Sequence, residues 1–172
     1  MNIVIVQPSI IHGPGLDFGF ASLFPAIQKC RFLFIGSGNN LEQLGYIDNL
    51  IDGVILASKK NKAVGQKYII GDDEILTFKE IVGEIAKILN MNPPKVHIPE
   101  RIARISVFPF SLLSRITGIN PLLDYKRINF MTKNQAGSVE KAKKELGYEP
   151  KVSSKEGLRR TIDYFRKTGF LK

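Results

Sequence analysis

The sequence predicts an α/β fold with a parallel sheet, and two observations near the N-terminus lead to this prediction. Four apolar, β-favouring residues, Ile3 to Val6, follow one another without polar alternation, which is typical of a strand buried on both faces, as in a parallel sheet. Behind them, Pro8 removes a backbone donor and the GPG triplet at 13–15 forms turns. Ligands of open α/β sheets bind outside the carboxyl ends of the strands, so this loop is expected to face a ligand.

A buried parallel strand needs neighbouring strands and covering helices, and the rest of the chain offers few candidates. Short apolar segments predict further strands at 32–35, 67–71 and 96–98. Segments with helical periodicity predict helices at 18–29, 47–60, 78–90, 121–130, 138–147 and 154–168, with two short helices between 100 and 119. The result is a small sheet followed by a mostly helical region.

Residues at the helix ends predict where several helices begin and end. Thr77 and Ser153 each stand three positions before a glutamate, as in a capping box. Gly147 is placed to end the helix that begins near 138. Asp48 or Asn49 is predicted to cap the helix that begins near 47.

Size and composition indicate one domain with a core, because the chain has 172 residues, of which 44% are apolar and 24% charged. Cys30 is the one cysteine and His12 and His97 are the two histidines, so we predict no disulfide and no metal site. This cysteine usage favours a cytoplasmic location. No apolar run reaches the roughly 18 residues of a transmembrane helix, and no signal peptide is indicated.

The formal charge of +9 is concentrated in residues 126–172, which hold 13 Lys/Arg and 5 Asp/Glu. A basic segment suits nucleic acid or an anionic membrane, but here the basic residues are interleaved with acids and no aromatic stacking platform accompanies them. We interpret the segment as a solvated helical face and expect no specific nucleic-acid binding.

Three further patterns could indicate a functional site, but each is better interpreted as ordinary structure or is incomplete. FLFIGSG at 32–38 begins a dinucleotide fingerprint, but Leu41 stands where the third glycine belongs, so we predict an ordinary turn. No tyrosine is followed four residues later by lysine, so the chain has no Tyr-x-x-x-Lys pair. Residues 101–116 place arginines around an apolar stripe, but Pro109 interrupts it, which favours a core helix pair over a membrane-surface helix.

Four segments occur in a characteristic order: VQPSIIHGPG, IGSGNNLEQLGYIDNLIDGVILAS, KYIIGDDEILTFKEIVGEIAKIL and SVEKAKKELGYEPKVSSKEGLRRTIDYFR. Together they resemble the extended short-chain dehydrogenase/reductases, also called the NAD-dependent epimerase/dehydratase family, with the 3β-hydroxysteroid-dehydrogenase-like branch nearest. The first is similar to the family's R-P-x-x-x-Y-G-P-G motif. The resemblance covers almost the whole chain and implies a partial Rossmann-type parallel sheet plus a mostly helical substrate-binding lobe.

The resemblance also implies what this sequence lacks. Family members begin with a Rossmann half that bears a Gly-rich phosphate loop, followed by a Ser/Thr and Tyr-x-x-x-Lys, whereas this sequence starts at the R-P motif. Residues 1–16 and 45–73 would be a remnant of the NAD(P)-binding domain, and 17–44 and 74–172 the substrate lobe. Hydride transfer on a sugar, steroid-like or related substrate with NAD or NADP would need the other half. The chain alone is expected to be inactive, and to bind that half or self-associate through its exposed strand.

Site residues follow from the same resemblance, which implies no catalytic residue in this chain. The nicotinamide of the cofactor would face Pro8, Ser9, Ile10 and Ile11. The substrate cleft would be lined by His12, Gly13 and Pro14 and, from a predicted loop at 39–46, by Asn40 and Tyr46. Each has a plain structural alternative, such as Pro8 as strand terminator and 13–15 as a turn.

Three positions depart from the family pattern. Gln7 replaces the usual arginine and His12 a common aromatic residue. Glu42 stands where nucleotide-sugar members often carry an arginine that binds the diphosphate, and a carboxylate there would repel phosphate. Steroid-like, flavonoid-like or lipid-linked sugar substrates stay open.

Two other classes of function stay open as well. One is a non-catalytic ligand-binding or protein-interaction module that keeps the substrate lobe, and the other is a basic nucleic-acid-binding domain. An in-frame Gly-rich loop and Tyr-x-x-x-Lys in the DNA upstream of Met1 would favour the enzyme over the module.

Overall fold

A computed structural model describes residues 2–16, 19–107 and 124–171. Strand β1 (Ile5–Pro8) pairs in parallel with β5 (Lys67–Ile70), with Val6 opposite Tyr68. The predicted parallel pairing near the N-terminus is therefore confirmed. The strand starts two residues later than predicted, and Pro8 is its last residue, opposite Ile70.

A second sheet has β4 (Leu41–Tyr46) at its centre, parallel to β2 (Ile10–His12) and antiparallel to β6 (Ile75–Thr77). The prediction of a loop at 39–46 is wrong, because this segment is a largely buried strand. Its sequence, LEQLGY, lacks β-branched residues and places Glu42 and Gln43 in the interior. Local propensity therefore gave no strand signal.

A third, short parallel pair joins β3 (Phe34–Ile35) and β7 (His97–Ile98). Both strands were predicted, with longer bounds. In each case the hydrogen-bonded part is confined to two residues.

The helices of the described residues follow the predicted order. They are α1 (Leu23–Gln28, after a 3₁₀ turn at Gly19–Ser22), α2 (Ile47–Lys59), α3 (Phe78–Ile88), α4 (100–107), α5 (Tyr125–Thr132), α6 (Glu140–Leu146) and α7 (Ser154–Lys167). The predicted break at Pro109, the second short helix beyond it and the predicted helix start at 121 lie outside the described residues.

Most of the predicted helix ends are confirmed. Thr77 and Glu80 form the predicted reciprocal capping box, and Gly147 ends α6 in the left-handed conformation at φ 64°. At Ser153 only half of the predicted box forms: its side chain accepts from the Glu156 amide, whereas the Glu156 carboxylate bonds Arg159 and Arg160. The predicted cap of α2 is wrong: its N-cap is Tyr46, with no side-chain cap. Asn49 is instead buried and bonded to a different part of the chain.

Two clusters of apolar side chains form most of the core. In one, Phe24, Phe78 and Phe165 from α1, α3 and α7 pack around Leu44 of β4. In the other, α2 and α6 cover Tyr68 and Ile70 of β5, with Val4 and Val6 beside them.

The opposite face of β1 has no such cover within the part of the chain that the structure describes. Ile3 and Ile5 are 48% and 56% exposed. Within this chain the strand is therefore covered on one face only, because α2 and α6 both pack on the face that carries Val4 and Val6; the exposure agrees with the expected exposed strand, although the residue pattern is typical of burial on both faces. Among the described residues, no helix has the length and apolar character needed to cross a membrane.

Candidate functional site

A cavity of about 460 Å³ opens where β1 and β5 end. One wall is the turn from β1 into β2, with Gln7, Pro8, Ser9 and Ile10, and the opposite wall is the segment 134–137. The carboxyl ends of parallel strands are the usual position of a ligand in α/β proteins. The predicted residues Pro8, Ser9 and Ile10 thus lie together on this cavity.

Ser9 is held firmly at the edge of this cavity. Its amide donates to the Ile70 carbonyl at 2.9 Å, and its hydroxyl donates to Gln43 Oε1 at 2.9 Å. Gly71 makes room for that hydroxyl, since a Cβ at this position would collide with Ser9 Oγ. Both donors of Ser9 are therefore committed to the protein.

Gln43 connects both walls of the cavity. Its Oε1 also accepts from the Gly137 amide at 3.3 Å, and its Nε2 donates to the Asp72 carbonyl at 2.8 Å. The segment 134–137 is attached to β4 by its backbone as well, since the Gln135 amide donates to the Leu41 carbonyl at 2.7 Å. The cavity is thus built on the strand that the sequence did not predict.

The predicted residues 11–14 lie on a different, smaller cavity of about 180 Å³, with Ile47 on its far side. The His12 side chain is only 1% exposed and packs against the rings of Phe20 and Tyr46, with centroids 6.1 and 5.6 Å away. Tyr46 is buried beneath it. A ligand in this cavity would therefore meet the backbone of the loop before it met the ring of His12.

Asp72 organises the interior behind this loop. Its Oδ1 accepts from the Tyr46 amide at 3.1 Å and from Asn49 Nδ2 at 2.8 Å, and its Oδ2 accepts from Ser154 Oγ at 3.0 Å. His12 Nε2 lies 3.7 Å from the same Oδ2. One buried carboxylate thus joins β2, the start of α2 and the start of α7.

Asn40 and Glu42 form a separate polar pair on β4. Asn40 lines a cavity of about 270 Å³ together with Asn39, Glu100 and Asn134. Its Nδ2 donates to Glu42 Oε1 at 2.6 Å. Glu42 is 0% exposed, and burial raises the pKa of its carboxyl to about 7, although the hydrogen bond from Asn40 opposes this.

The basic residues on α7 are largely matched by acids. Arg159 and Arg160 both bond Glu156, at 2.8 and 2.7 Å, and Arg159 also pairs with Asp163 at 2.9 Å. Hydrogen bonds from the two arginines lower the pKa of Glu156 to about 2. These pairs agree with the interpretation of this segment as a solvated helical face.

Known proteins are similar to this chain in both sequence and architecture, although no family model matches it. It is 30% identical to the uncharacterized protein y4nL of Sinorhizobium fredii, over 98% of this chain and 49% of that protein. It is 31% identical to 3beta-hydroxysteroid-dehydrogenase/decarboxylase isoform 1 of Arabidopsis thaliana, over 93% of this chain and 39% of that protein. UDP-glucose 4-epimerase of Vibrio cholerae is 26% identical, over 96% and 47%.

The chain is homologous to NAD-dependent epimerase/dehydratase proteins. These homologues include 3β-hydroxysteroid dehydrogenase/decarboxylases. The chain spans about half the length of the curated relatives it matches.

Solved structures show the same fold. The crystal structure of gox2253 superposes with a TM-score of 0.74 at 24% identity, over 98% of this chain and 50% of that one. UDP-glucuronic acid 4-epimerase from Bacillus cereus, solved in complex with NAD, superposes with a TM-score of 0.68 at 22% identity, over 98% and 46%. The α/β architecture of this chain therefore matches half of an epimerase chain.

Homology to NAD-dependent epimerase/dehydratase proteins raises the question of whether the large cavity fits a nicotinamide. The cavity is open at the strand ends, and Gln7 and Asn134 are among its lining residues, with Asn134 Oδ1 already accepting from the Leu41 amide at 2.9 Å. Amide groups can pair with a carboxamide through both a donor and an acceptor. The residues present therefore suit the nicotinamide end of the cofactor.

Sequence reasoning missed Gln43, Asp72 and the segment 134–137. For Asp72 a signal existed, because two aspartates directly follow the predicted strand KYIIG. For Gln43 and 134–137 the local sequence offered none, since their positions depend on pairing between segments about 90 residues apart, as in the bond from Gly137 to Gln43.

Proposed function

We propose that this chain is the substrate-binding part of an NAD(P)-dependent epimerase/dehydratase or dehydrogenase. The reaction would be hydride transfer on a hydroxyl or carbonyl carbon of a sugar, steroid-like or related substrate. The observation that carries the proposal is the cavity at the carboxyl ends of β1 and β5, with Pro8, Ser9 and Ile10 on one wall and 134–137 on the other. Homology to dehydrogenases and epimerases supports it.

In this proposal the chain positions the nicotinamide but does not move protons. When bound, the cofactor would supply or accept the hydride. Ser9 contributes shape rather than a free donor, because its amide and hydroxyl are both committed. Gln7, and Asn134 through its Nδ2, would orient the carboxamide. The acid/base tyrosine and the phosphate loop would come from the other half of the enzyme, as would the rest of the predicted NAD(P)-binding domain.

Glu42 bears on the class of substrate. Its buried carboxyl, with a pKa near 7, brings negative charge rather than positive charge to β4 as the pH rises. Glu42 lines none of the cavities described above, so its effect on an anionic diphosphate would be the lack of a compensating cation at this position rather than a direct contact. A neutral substrate, steroid-like or flavonoid-like, or a lipid-linked sugar bound through its sugar ring, suits the site better.

The experiment tests whether the chain binds the nicotinamide end or the adenosine end of the cofactor. Nicotinamide mononucleotide and 5′-AMP are titrated into the full chain while amide chemical shifts are recorded by NMR. We expect weak binding of nicotinamide mononucleotide, with shifts at Ser9, Ile10 and Gly137, and no response to 5′-AMP, because the chain lacks a Gly-rich phosphate loop. Shifts that occur with 5′-AMP alone would contradict the proposal.

A cavity-filling variant provides the matched test. Ala136 is exposed and lines the cavity, so Ala136→Trp should fill the cavity and abolish the shifts without disturbing the core. Ser138→Trp, two residues further on and outside this cavity, should leave them unchanged. Equal effects of the two variants would show that the nucleotide binds elsewhere.

A non-catalytic binding module is the second candidate. It is favoured by one observation: none of the 172 residues forms a Tyr-x-x-x-Lys pair or a Gly-rich phosphate loop. Mixing the chain with the unmatched half of a homologous dehydrogenase distinguishes the two candidates. NAD(P)H formation that depends on both components supports the enzyme, whereas tight substrate binding without turnover supports the module.

A further inference from the structure

Six lysines form a continuous basic surface at the end of the molecule where β5 begins. Four come from the end of α2 and the segment that leads into β5, and two come from α6. We call this the lysine surface; its members are Lys59, Lys60, Lys62, Lys67, Lys141 and Lys144.

Contacts between the elements bring these lysines together. Lys141 Nζ donates to Gln66 Oε1 at 2.8 Å, which places the first turn of α6 beside the start of β5. At the other end of α6, Lys60 Nζ lies 3.8 Å from the position that a Cβ on Gly147 would occupy. Lys144 is exposed on α6 between these two contacts. These contacts place the lysines of α6 beside Lys60 and the start of β5, and we assign Lys59 and Lys62 to the same surface because they flank Lys60 in the chain and are exposed.

Most of this charge is uncompensated. The lysines of the described residues that do form ion pairs are Lys143, Lys151 and Lys155. The nearby carboxylates of α6 are engaged elsewhere, since Glu140 pairs with Lys143 and Glu145 accepts from the Tyr68 hydroxyl. Close like charges repel one another, so an anionic partner would relieve this repulsion.

Exposed aliphatic side chains lie among the lysines. Val64 stands between Lys62 and Lys67 and is exposed. Ile3 is exposed beside it, because the Ile3 carbonyl accepts from the Gly65 amide at 2.7 Å. Ile55 is exposed one turn before Lys59 on α2.

We propose that the lysine surface binds an anionic lipid bilayer. Exposed aliphatic groups ringed by lysines suit a membrane interface, where apolar groups enter the acyl boundary while ammonium groups meet acidic headgroups. A nucleic acid is the less suitable partner, because among the described residues no arginine belongs to this surface for bidentate phosphate contacts. The ring beneath Lys141, that of Tyr68, is fully buried and cannot stack on a base.

The position of the lysine surface is compatible with the proposed function. The membrane proposal itself does not depend on that function. The lysines lie where β5 begins, whereas the large cavity lies where β1 and β5 end. Attachment to a bilayer through the lysine surface would leave the cavity open. The cavity would then lie close to the membrane in which a lipid-linked or steroid-like substrate is dissolved.

The test is co-sedimentation of the full chain with vesicles. Vesicles of phosphatidylcholine alone are compared with vesicles that contain about 30% phosphatidylserine, at low and at high salt. We expect binding to the acidic vesicles, weakened by salt because exposed charges are screened, and no binding to the neutral ones. Absence of binding to the acidic vesicles at low salt overturns the proposal.

Two variants with equal net charge locate the binding. Lys59→Gln, Lys60→Gln, Lys62→Gln and Lys67→Gln combined should weaken binding about 1,000-fold. The control removes the same charge elsewhere, through the exposed Lys87→Gln, Lys95→Gln, Lys126→Gln and Lys167→Gln, and should bind like the parent chain. Equal loss in both variants would show that net charge alone is responsible, which overturns the proposal.

A third variant distinguishes a membrane from other polyanions. Val64→Ser should weaken binding to acidic vesicles about tenfold, because an aliphatic group no longer enters the bilayer. Binding to duplex DNA as tight as to the acidic vesicles, and no effect of Val64→Ser, would make this surface a general polyanion site and overturn the membrane assignment.

Discussion

His12 Nε2 lies 3.7 Å from Asp72 Oδ2, and both side chains are buried at 1% exposure. This contact joins the end of β2 to Asp72, which lies just after β5. It therefore links the sheet of β2, β4 and β6 to the sheet of β1 and β5. Ser154 bonds the same carboxylate oxygen, which also attaches α7. The loop at 13–15 therefore begins at a residue, His12, that is held by buried contacts. The shape of the small cavity thus depends on Asp72 and Ser154, which are far away in the sequence.

The first prediction concerns Asp72. Asp72→Ala removes an acceptor that serves the Tyr46 amide, Asn49 and Ser154, and leaves these buried donors unpaired. We expect a loss of about 3–5 kcal/mol in the free energy of unfolding, measured by urea denaturation. Asp73→Ala is the control, because Asp73 is exposed and pairs with Lys143 at 2.9 Å, and it should cost less than about 1 kcal/mol. Similar losses in both variants would argue against the central role of Asp72.

The second prediction compares two helical glycines. A Cβ at Gly157 in α7 would lie 2.6 Å from His12 Cε1 and 2.9 Å from Tyr46 Cδ2, so Gly157→Ala should destabilise the protein by about 1–3 kcal/mol. At Gly83 in α3 a Cβ meets nothing within 4 Å, so Gly83→Ala should stabilise by about 0.5–1 kcal/mol. Thermal melts of the two variants should move in opposite directions; a shift in the same direction would refute the packing of His12 against α7.

The third prediction concerns Glu42 and pH. Its carboxyl pKa is raised from 4.5 to about 7, so the folded chain holds this proton more tightly than the unfolded chain. Stability from this group is therefore fully present below about pH 4.5 and is lost as the pH rises to about 7. At about 1.36 kcal/mol for each pH unit, the loss approaches about 3 kcal/mol.

Glu42→Gln tests this directly. The variant should have nearly the stability of the parent chain at low pH and exceed it by up to about 3 kcal/mol at pH 8, because glutamine carries no proton to lose. Glu149→Gln, at an exposed position, should show no such pH-dependent gain. A constant difference between Glu42→Gln and the parent at every pH would contradict a raised pKa.

The fourth prediction concerns the open side of β1. Ile3 and Ile5 are exposed beside a strand edge that no described residue pairs with, which favours association with another chain. We expect light scattering to show self-association at micromolar concentrations, and Ile5→Lys to reduce it. Ile105→Lys, on a still more exposed isoleucine of α4, serves as the control and should leave association unchanged. A stable monomer with a sharp melt would show that β1 needs no partner.

Helices were predicted well because their signals are local. The capping box of Thr77 and Glu80, the Ser153 cap and the left-handed Gly147 each depend on residues within about one turn. The cap of α2 was predicted wrongly because Asn49 is used elsewhere. Its Oδ1 accepts from the amides of Lys151 and Val152, about a hundred residues away.

By itself the sequence determined the α/β class, the parallel strands β1 and β5, the order of the helices and the turn that carries Pro8, Ser9 and Ile10. These features follow from hydrophobic periodicity and from turn residues, which act over a few positions. Tertiary structure alone decided that LEQLGY is a central strand, that Gln43 joins the two walls of the cavity, and that Asp72 gathers His12, Asn49 and Ser154. Those features arise because buried polar groups must find partners, and the partners here lie 23 to 94 residues away along the chain.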